Sequence, residues 1–186
     1  MNRREVIGRL GLMLGGSIIG AEFFLSGCKS DPTKINNLIT EDDMALFNEI
    51  GETILPETAT PGAKMVNVGA FMALMVNDCY TTEEQKIFTN GVTALNDRSK
   101  EQYGKDFMGI TAKQRTELLT VLDQEQKKEA KNNQHAVHYF RMMKELTLLG
   151  YFTSEVGCTK ALRYIPVPGK YVGCIPYRTG EKAWAT

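Results

Sequence analysis

Three helix-start signals, each followed by apolar residues at helical spacing, constrain the fold of this chain more than any other feature. Thr40 precedes three acidic residues, and Thr81 precedes Glu84 by three positions. Thr111 precedes Gln114 in the same way. A threonine hydroxyl caps the free N–H groups of a helix, and an acid or amide three residues later completes the capping box. No alternating strand pattern of convincing length accompanies these signals, so an all-α fold is predicted.

The apolar stripes and the glycine and proline residues between them predict a compact bundle of about six helices. Residues 68–80 are apolar or small at nearly every position to Val76, which predicts a central helix buried on most of its circumference. Gly150 is predicted to end the fifth helix. Prolines then predict an extended tail to Thr186. The predicted helices are 40–55, 68–80, 81–104, 111–133, 136–149 and 153–163.

Composition narrows the function classes. The 186 residues carry 22 lysine and arginine residues against 22 aspartate and glutamate residues, so the net formal charge is zero. A protein that binds nucleic acid through its phosphates usually carries an excess of positive charge, and none is present here. The length suits one domain with its own hydrophobic core.

The first 28 residues have the pattern of an export signal. A basic start that contains Arg3 and Arg4 precedes an apolar run, residues 10–21, which is short for a membrane-spanning helix of about 20 residues. The paired arginines resemble a twin-arginine signal, which exports folded cargo. Residues 25–28, Leu-Ser-Gly-Cys, resemble the lipobox of bacterial lipoproteins, in which the cysteine is acylated. Cys28 is therefore the predicted lipidation site, and a permanent transmembrane helix is the less favoured interpretation.

These signals predict three segments and a location. Residues 1–27 form the predicted signal peptide, residues 28–37 a flexible polar tether, and residues 38–186 a single helical domain. Two or more acyl chains hold a protein stably on a bilayer. The mature protein is expected in the cell envelope, lipid-anchored on the periplasmic side.

Residues suited to catalysis or metal binding are few. His135 and His138 are three residues apart, with Glu145 two helical turns further on, but no established zinc or di-iron spacing accompanies them. The dinucleotide fingerprint, the phosphate loop and the haem-attachment motif are missing from the sequence. The chain is expected to hold no cofactor or metal and to perform no redox chemistry by itself.

Three cysteines would remain after lipidation of Cys28: Cys79, Cys158 and Cys174. Outside the cytoplasm, an odd number of thiols leaves at least one unpaired within the chain. Cys158 and Cys174 could form a disulfide with each other, one of them could bond a partner chain, or all three could stay free.

The densest group of unusual residues is late in the chain, from residue 150 to residue 174. Its aromatic and capping residues could simply fill the core and cap the last helix. Alternatively, tyrosine and arginine are favoured anchors of protein interfaces, and this corner could contact another protein. The candidate partner-binding residues are Tyr151, Phe152, Ser154, Glu155, Arg163, Tyr164 and Tyr171.

Several separate blocks, in order, resemble the gluconate 2-dehydrogenase subunit 3 family, the small subunits that accompany membrane-bound flavin dehydrogenases. The blocks are Ile54-Leu55-Pro56-Glu57-Thr58, Thr60-Pro61-Gly62-Ala63, Asp78-Cys79-Tyr80, Phe88 with Gly91, Gly150-Tyr151-Phe152-Thr153-Ser154-Glu155-Val156-Gly157, Leu162-Arg163-Tyr164, and Pro168-Gly169. Together they span most of the chain after the tether.

The resemblance implies a noncatalytic subunit that binds a large FAD-containing subunit of the glucose-methanol-choline type. FAD is then expected in that partner, and a cytochrome c is a further candidate partner as electron acceptor. A twin-arginine signal would let this chain escort the folded flavoprotein across the membrane, and Cys28 would anchor the complex. The alternative function is a lone envelope lipoprotein with a structural or carbohydrate-binding role.

Overall fold

The described part of the chain is a bundle of five α-helices. The computed structural model describes residues 39–132, 137–167, 169–170 and 172–185. The all-α prediction is confirmed, and in these residues the extended pairing is limited to an isolated bridge. The helices are α1 (Glu41–Ile54), α2 (Val68–Cys79), α3 (Thr82–Tyr103), α4 (Ala112–Asn132) and α5 (Tyr139–Thr153).

Short helical turns connect the main helices. The 3₁₀ turn Ala63–Val66 precedes α2, and a second 3₁₀ turn, Phe107–Gly109, lies between α3 and α4. The predicted sixth helix is a π-helical turn, Gly157–Ala161, which follows α5. After this turn the chain is irregular.

The predicted capping residues begin the first, third and fourth helices. The Thr40 hydroxyl accepts a hydrogen bond from the Asp43 N–H at 3.2 Å, and the Asp43 carboxylate accepts one from the Thr40 N–H at 2.9 Å. The same reciprocal pair of hydrogen bonds joins Thr81 to Glu84 at the start of α3. At α4 the pair is Thr111 and Gln114. These N–H groups have no partner within their own helix, so the side chains satisfy them.

The hydrophobic core lies between the helices, and α5 packs against all four others. Each helix contributes large side chains that are fully or almost fully buried. Burial of one such side chain contributes about 1.5–3 kcal/mol to folding. The largest are Phe47, Ile50, Val68, Met72, Phe88, Leu95, Leu118, Leu122, Phe140 and Met143, with Phe107 from the second 3₁₀ turn.

Two details of the helix prediction are wrong. Helix α2 buries one face, with Met72 and Val76 fully enclosed, while Leu74 on the opposite face is 52% exposed. Helix α5, which contacts all four other helices, is the central element instead. Gly150 does not end α5, which continues to Thr153. A Cβ at Gly150 would overlap the Phe71 ring of α2. Its glycine is needed for close packing of two helices.

A partly buried ion pair fixes the second 3₁₀ turn to α1. Arg115 of α4 donates to the Glu49 carboxylate at 2.5 Å and to the Phe107 and Met108 carbonyl oxygens at 3.1 and 2.8 Å. Lys64 also donates to Glu49, and this hydrogen bond is the main reason that the pKa of Glu49 lies below its usual range. The charges of α1 and α4 are thus joined through one carboxylate.

Asp123 of α4 should contribute acid-sensitive stability. Its carboxylate accepts hydrogen bonds from Lys127 at 2.5 Å and from Lys144 of α5 at 2.6 Å, and these lower its pKa from 3.8 to about 2. A carboxylate with a lowered pKa stabilises the fold above its unfolded pKa, and the contribution is lost as the pH falls from about 4 to about 2. We expect Asp123→Asn to lower the free energy of unfolding by about 1 kcal/mol at pH 7 and to leave it less dependent on acid.

Chemical unfolding of both proteins at a series of pH values between 2 and 7 measures this effect, with Glu129→Gln on the exposed face of α4 as the control. An equal slope for wild type and Asp123→Asn between pH 4 and pH 2 would show that the lysine contacts do not stabilise the fold.

Candidate partner-binding surface

The corner after α5 is held together by Ser154. Its hydroxyl donates to the Tyr151 carbonyl oxygen at 2.6 Å and accepts from the Gly157 N–H at 3.0 Å. A Cβ at Gly157 would overlap the Tyr151 main-chain oxygen, so only glycine allows this close approach. Ser154 and Gly157 therefore form a tight turn, and the Ser154 hydroxyl uses both of its hydrogen bonds within the chain.

Tyr151 belongs to the core rather than to the partner-binding surface. Its side chain is 3% exposed, and its hydroxyl donates to the Pro61 carbonyl oxygen at 2.6 Å. The contact joins the loop after α1 to the end of α5, which are 90 positions apart in the chain. An exposed Tyr151 would require α5 to detach from this loop, so the expectation that its ring contacts a partner is corrected here.

Hydrogen bonds within the chain also order the loop after α1. The Glu52 carboxylate accepts from the Glu57 N–H at 2.8 Å and from the Lys64 N–H at 3.0 Å. The Ala63 N–H donates to the Leu55 carbonyl oxygen at 3.0 Å. The proline- and glycine-rich block that the sequence marks at 54–63 therefore forms a structural joint with α5.

Phe152 and Glu155, unlike Tyr151, are exposed. Phe152 contacts the Tyr151 ring edge to face, with centroids 5.1 Å apart. Leu149, one turn earlier on α5, is also exposed, and Leu74 is exposed on the neighbouring α2.

Arg163 contacts residues 183–185, close to the end of the chain, and this contact was not predicted from the sequence. Its guanidinium carbon lies 3.9 Å from the centroid of the Trp184 ring. Its N–H donates to the Ala183 carbonyl oxygen at 2.8 Å, and its carbonyl oxygen accepts from the Ala185 N–H at 3.0 Å. We call this set of contacts the clasp. The predicted extended tail therefore returns to Arg163.

The chain between the two halves of the clasp, residues 164–183, is called the tail below. Its apolar side chains are exposed, with Val167 and Tyr177 both 80% accessible to solvent. Tyr164, Ile165 and Ile175 are also exposed. Tyr171, the last candidate contact, lies outside the described residues. Six of the exposed large apolar side chains in the described residues belong to the tail: Tyr164, Ile165, Val167, Val172, Ile175 and Tyr177.

An open cavity of about 470 Å³ lies against the clasp. The Arg163 Nε atom is buried and has no hydrogen-bond acceptor in the described residues. Glu181 lies 3.9 Å from another nitrogen of the same guanidinium, and Lys182 donates to the Lys160 carbonyl oxygen. The cavity is lined by Arg163, Ile175, Pro176, Tyr177, Glu181 and Trp184, among others.

Sequence reasoning identified Arg163 and Tyr164 but missed the part played by Trp184. Trp184 is the only tryptophan in the chain. That single feature could have drawn attention to it, because tryptophan is the aromatic residue that attracts cations most strongly.

The three cysteines that the structure describes have free thiols. Cys79 and Cys174 are exposed, and the Cys158 thiol lies 3.1 Å from the Phe152 carbonyl oxygen. Of the possibilities left open by the sequence, the disulfide between Cys158 and Cys174 is not formed in this structure. Cys28, Arg3 and Arg4 lie outside the described residues.

His138 has a structural role at the start of α5. Its Nδ1 atom accepts a hydrogen bond from the Phe140 N–H at 3.1 Å, and its ring stacks on Tyr139. His135 lies outside the described residues. Among the residues that are described, no three histidine, cysteine, aspartate or glutamate side chains are grouped for metal binding. In the same residues, none of the helices combines the length and apolar character that a membrane span requires.

Comparison with known proteins adds one finding. The family model described as gluconate 2-dehydrogenase subunit 3 matches residues 41–169. This range covers the five helices, the π-helical turn and the first part of the tail. Neither a curated protein nor a solved structure matches the chain.

Proposed function

The chain belongs to the gluconate 2-dehydrogenase subunit 3 family, and we propose that it is the noncatalytic small subunit of a membrane-tethered dehydrogenase with FAD in its large subunit. The match over residues 41–169 carries this proposal, because it includes most of the folded domain. A subunit of a dehydrogenase complex must bind at least one further chain. The proposed partner is a flavoprotein of the glucose-methanol-choline type that oxidises a sugar or polyol.

The ion pairs between helices support a structural role for the bundle. Glu49 pairs with Arg115, and Asp123 pairs with Lys144; each pair joins two helices. Arg98 of α3 donates to both oxygens of Glu125 of α4, at 2.6 and 2.5 Å. Each of these charges has a partner within the bundle, and such partly exposed pairs contribute modestly to stability, about 0–1 kcal/mol.

The leader supports two further parts of the proposal. Arg3 and Arg4 would direct export of the folded complex, so that a catalytic subunit without its own signal crosses the membrane with this chain. Cys28, once acylated, would hold the complex on the periplasmic side of the envelope, close to membrane-bound electron acceptors. A cytochrome c is the proposed acceptor.

A second candidate function rests on the cavity beside the clasp. Aromatic rings next to hydrogen-bonding side chains suit the apolar faces and hydroxyl groups of sugars, and Tyr177, Trp184, Arg163 and Glu181 provide both. A lone lipoprotein that binds carbohydrate would use this site directly.

Immunoprecipitation of the chain from detergent-solubilised envelopes tests the first function. We expect a large flavoprotein in a one-to-one ratio, visible by mass spectrometry and by flavin absorbance, and sugar oxidation in the precipitate with an artificial electron acceptor. A colourless precipitate without a stoichiometric partner would contradict the subunit function. Heat released on titration with sugars would then favour the carbohydrate-binding alternative.

A further inference from the structure

The tail does not contribute to the core of its own domain. Every large side chain of the described core lies between Ile39 and Tyr151, and the tail begins after it. The exposed side chains of the tail include Val167, Val172 and Tyr177. Contiguous exposed apolar surface on a folded protein usually marks a contact with another molecule. The clasp holds the two ends of the tail, and the exposed side chains between them are available for such a contact.

The charge of the tail differs from that of the bundle. The tail, residues 164–183, contains three basic residues and one acid, Glu181, so its net charge is 3 − 1 = +2. Residues 38–159 contain 12 basic and 18 acidic residues, so their net charge is 12 − 18 = −6. A basic and apolar segment is attracted to an acidic surface with apolar pockets. Two tails would repel each other, which disfavours pairing of tail with tail.

The main chain of the tail favours another protein, rather than a lipid bilayer, as the molecule that the tail contacts. Between Tyr164 and Tyr177, the described residues make no hydrogen bond to another main-chain group. The hydrocarbon region of a membrane cannot satisfy free N–H and C=O groups. An irregular segment with free main-chain groups can instead form main-chain hydrogen bonds within a groove of another protein, while its side chains fill pockets.

We propose that the tail is the docking element of this subunit, and that it lies in an acidic, apolar-lined groove of the catalytic dehydrogenase subunit. This inference rests on the proposed function, which supplies the partner. The cavity beside the clasp would receive an apolar side chain of that subunit. The α1–α5 bundle then serves mainly to carry the tail and to position the clasp.

Substitutions in the tail test the proposal, because they lie outside the core and should not change folding. Tyr177→Ala removes an exposed ring, and Met65→Ala removes a comparably exposed apolar side chain from the first 3₁₀ turn as its control. Lys170→Glu with Arg178→Glu reverses two exposed charges of the tail. The matched control reverses two exposed charges of α4, Lys128 and Lys131.

The probe is the flavoprotein that precipitates with the wild-type chain. We expect each tail variant to bind it about tenfold more weakly than wild type, with both controls unchanged and with the same thermal unfolding midpoint for all. Wild-type binding should also weaken as NaCl is raised, because the tail charges are exposed. Tail variants that retain wild-type affinity would overturn the docking inference while the subunit function stands.

Three other outcomes would also overturn it. If the tail variants lost binding to vesicles of anionic phospholipid but still bound the flavoprotein, the tail would be assigned to the membrane. A wild-type oligomer that dissociates on reversal of the tail charges would assign the tail to a second copy of this chain. Absence of any flavoprotein from the wild-type precipitate would contradict the proposed function and the docking inference together.

Discussion

Replacing Gly69 with alanine is expected to lower the free energy of unfolding by about 3 kcal/mol and the unfolding midpoint by about 10 °C. A Cβ at Gly69, in the first turn of α2, would overlap the main-chain oxygen of Met44 in α1. Main-chain atoms cannot move aside as a side chain can, so the two helices would have to separate. That separation would open the core where it contains Phe47 and Met72.

The same substitution would also disturb a hydrogen-bond network. The Gly69 N–H donates to the Asn48 side-chain oxygen at 2.8 Å, and the Asn48 amide donates to the Asn67 side chain at 2.8 Å. Asn67 adopts the left-handed conformation, with φ of 52°, that turns the chain into α2. Separation of α1 from α2 would leave these polar groups without partners.

Urea unfolding followed by circular dichroism measures the effect of Gly69→Ala. Gly109→Ala is the control, because a Cβ there would have 3.4 Å to its nearest neighbour, the Lys105 side chain. We expect that variant to stay within about 0.5 kcal/mol of wild type. Equal stability of Gly69→Ala and wild type would show that α1 and α2 can move apart without cost.

Substitutions in the leader are expected to redistribute the dehydrogenase activity of the cell. Arg3→Lys with Arg4→Lys keeps the charge but removes the guanidinium pair, so activity in the envelope should fall to the background of a strain that lacks the gene. Cys28→Ser should leave export intact and move the activity from the membrane to the soluble periplasmic fraction, because no acyl chains can be attached.

Fractionation of cells into cytoplasm, periplasm and membrane measures both effects. Arg9→Lys is the matched control, because it makes the same chemical change outside the arginine pair. Envelope activity that survives the double lysine substitution would exclude the escort role. Membrane activity that survives Cys28→Ser would exclude the lipid anchor, while the subunit function would still stand on its family membership.

Most of the helix boundaries could be predicted because their causes are local. A capping box involves residues three apart, and Thr40, Thr81 and Thr111 each cap the helix that was expected after them. The end of α3 at Gly104, which has a φ of 72°, follows from the same kind of local preference.

Contacts between distant segments could not be read from the sequence. Gly150 has the local character of a helix end, but its position opposite Phe71 makes it a packing residue. The sequence predicted that α2 is buried on most of its circumference, because its residues are apolar. Apolar composition does not determine how many other helices pack around a helix. In α2, Leu74 remains exposed for that reason.

The candidate site was predicted in part. Aromatic and arginine residues cluster around Arg163 in the sequence, and the clasp lies in that region; the role of these residues in partner binding stays a prediction. The division between core and surface within that region depends on partners elsewhere in the chain: Pro61 for Tyr151, and Trp184 for Arg163. These pairs are far apart in sequence, so composition alone could not separate them.

The clasp also sets the fraction of molecules in which the tail is in the closed form that binds a partner. Closing a segment of 20 residues, 164–183, removes many of its conformations before a partner arrives, so less conformational entropy is lost on binding. One cation–π contact and two hydrogen bonds contribute only about 1–3 kcal/mol, so the closed form exchanges with an open one. The apparent affinity for a partner is the affinity of the closed form multiplied by its population. Small changes at Arg163 or Trp184 would therefore adjust how much complex forms.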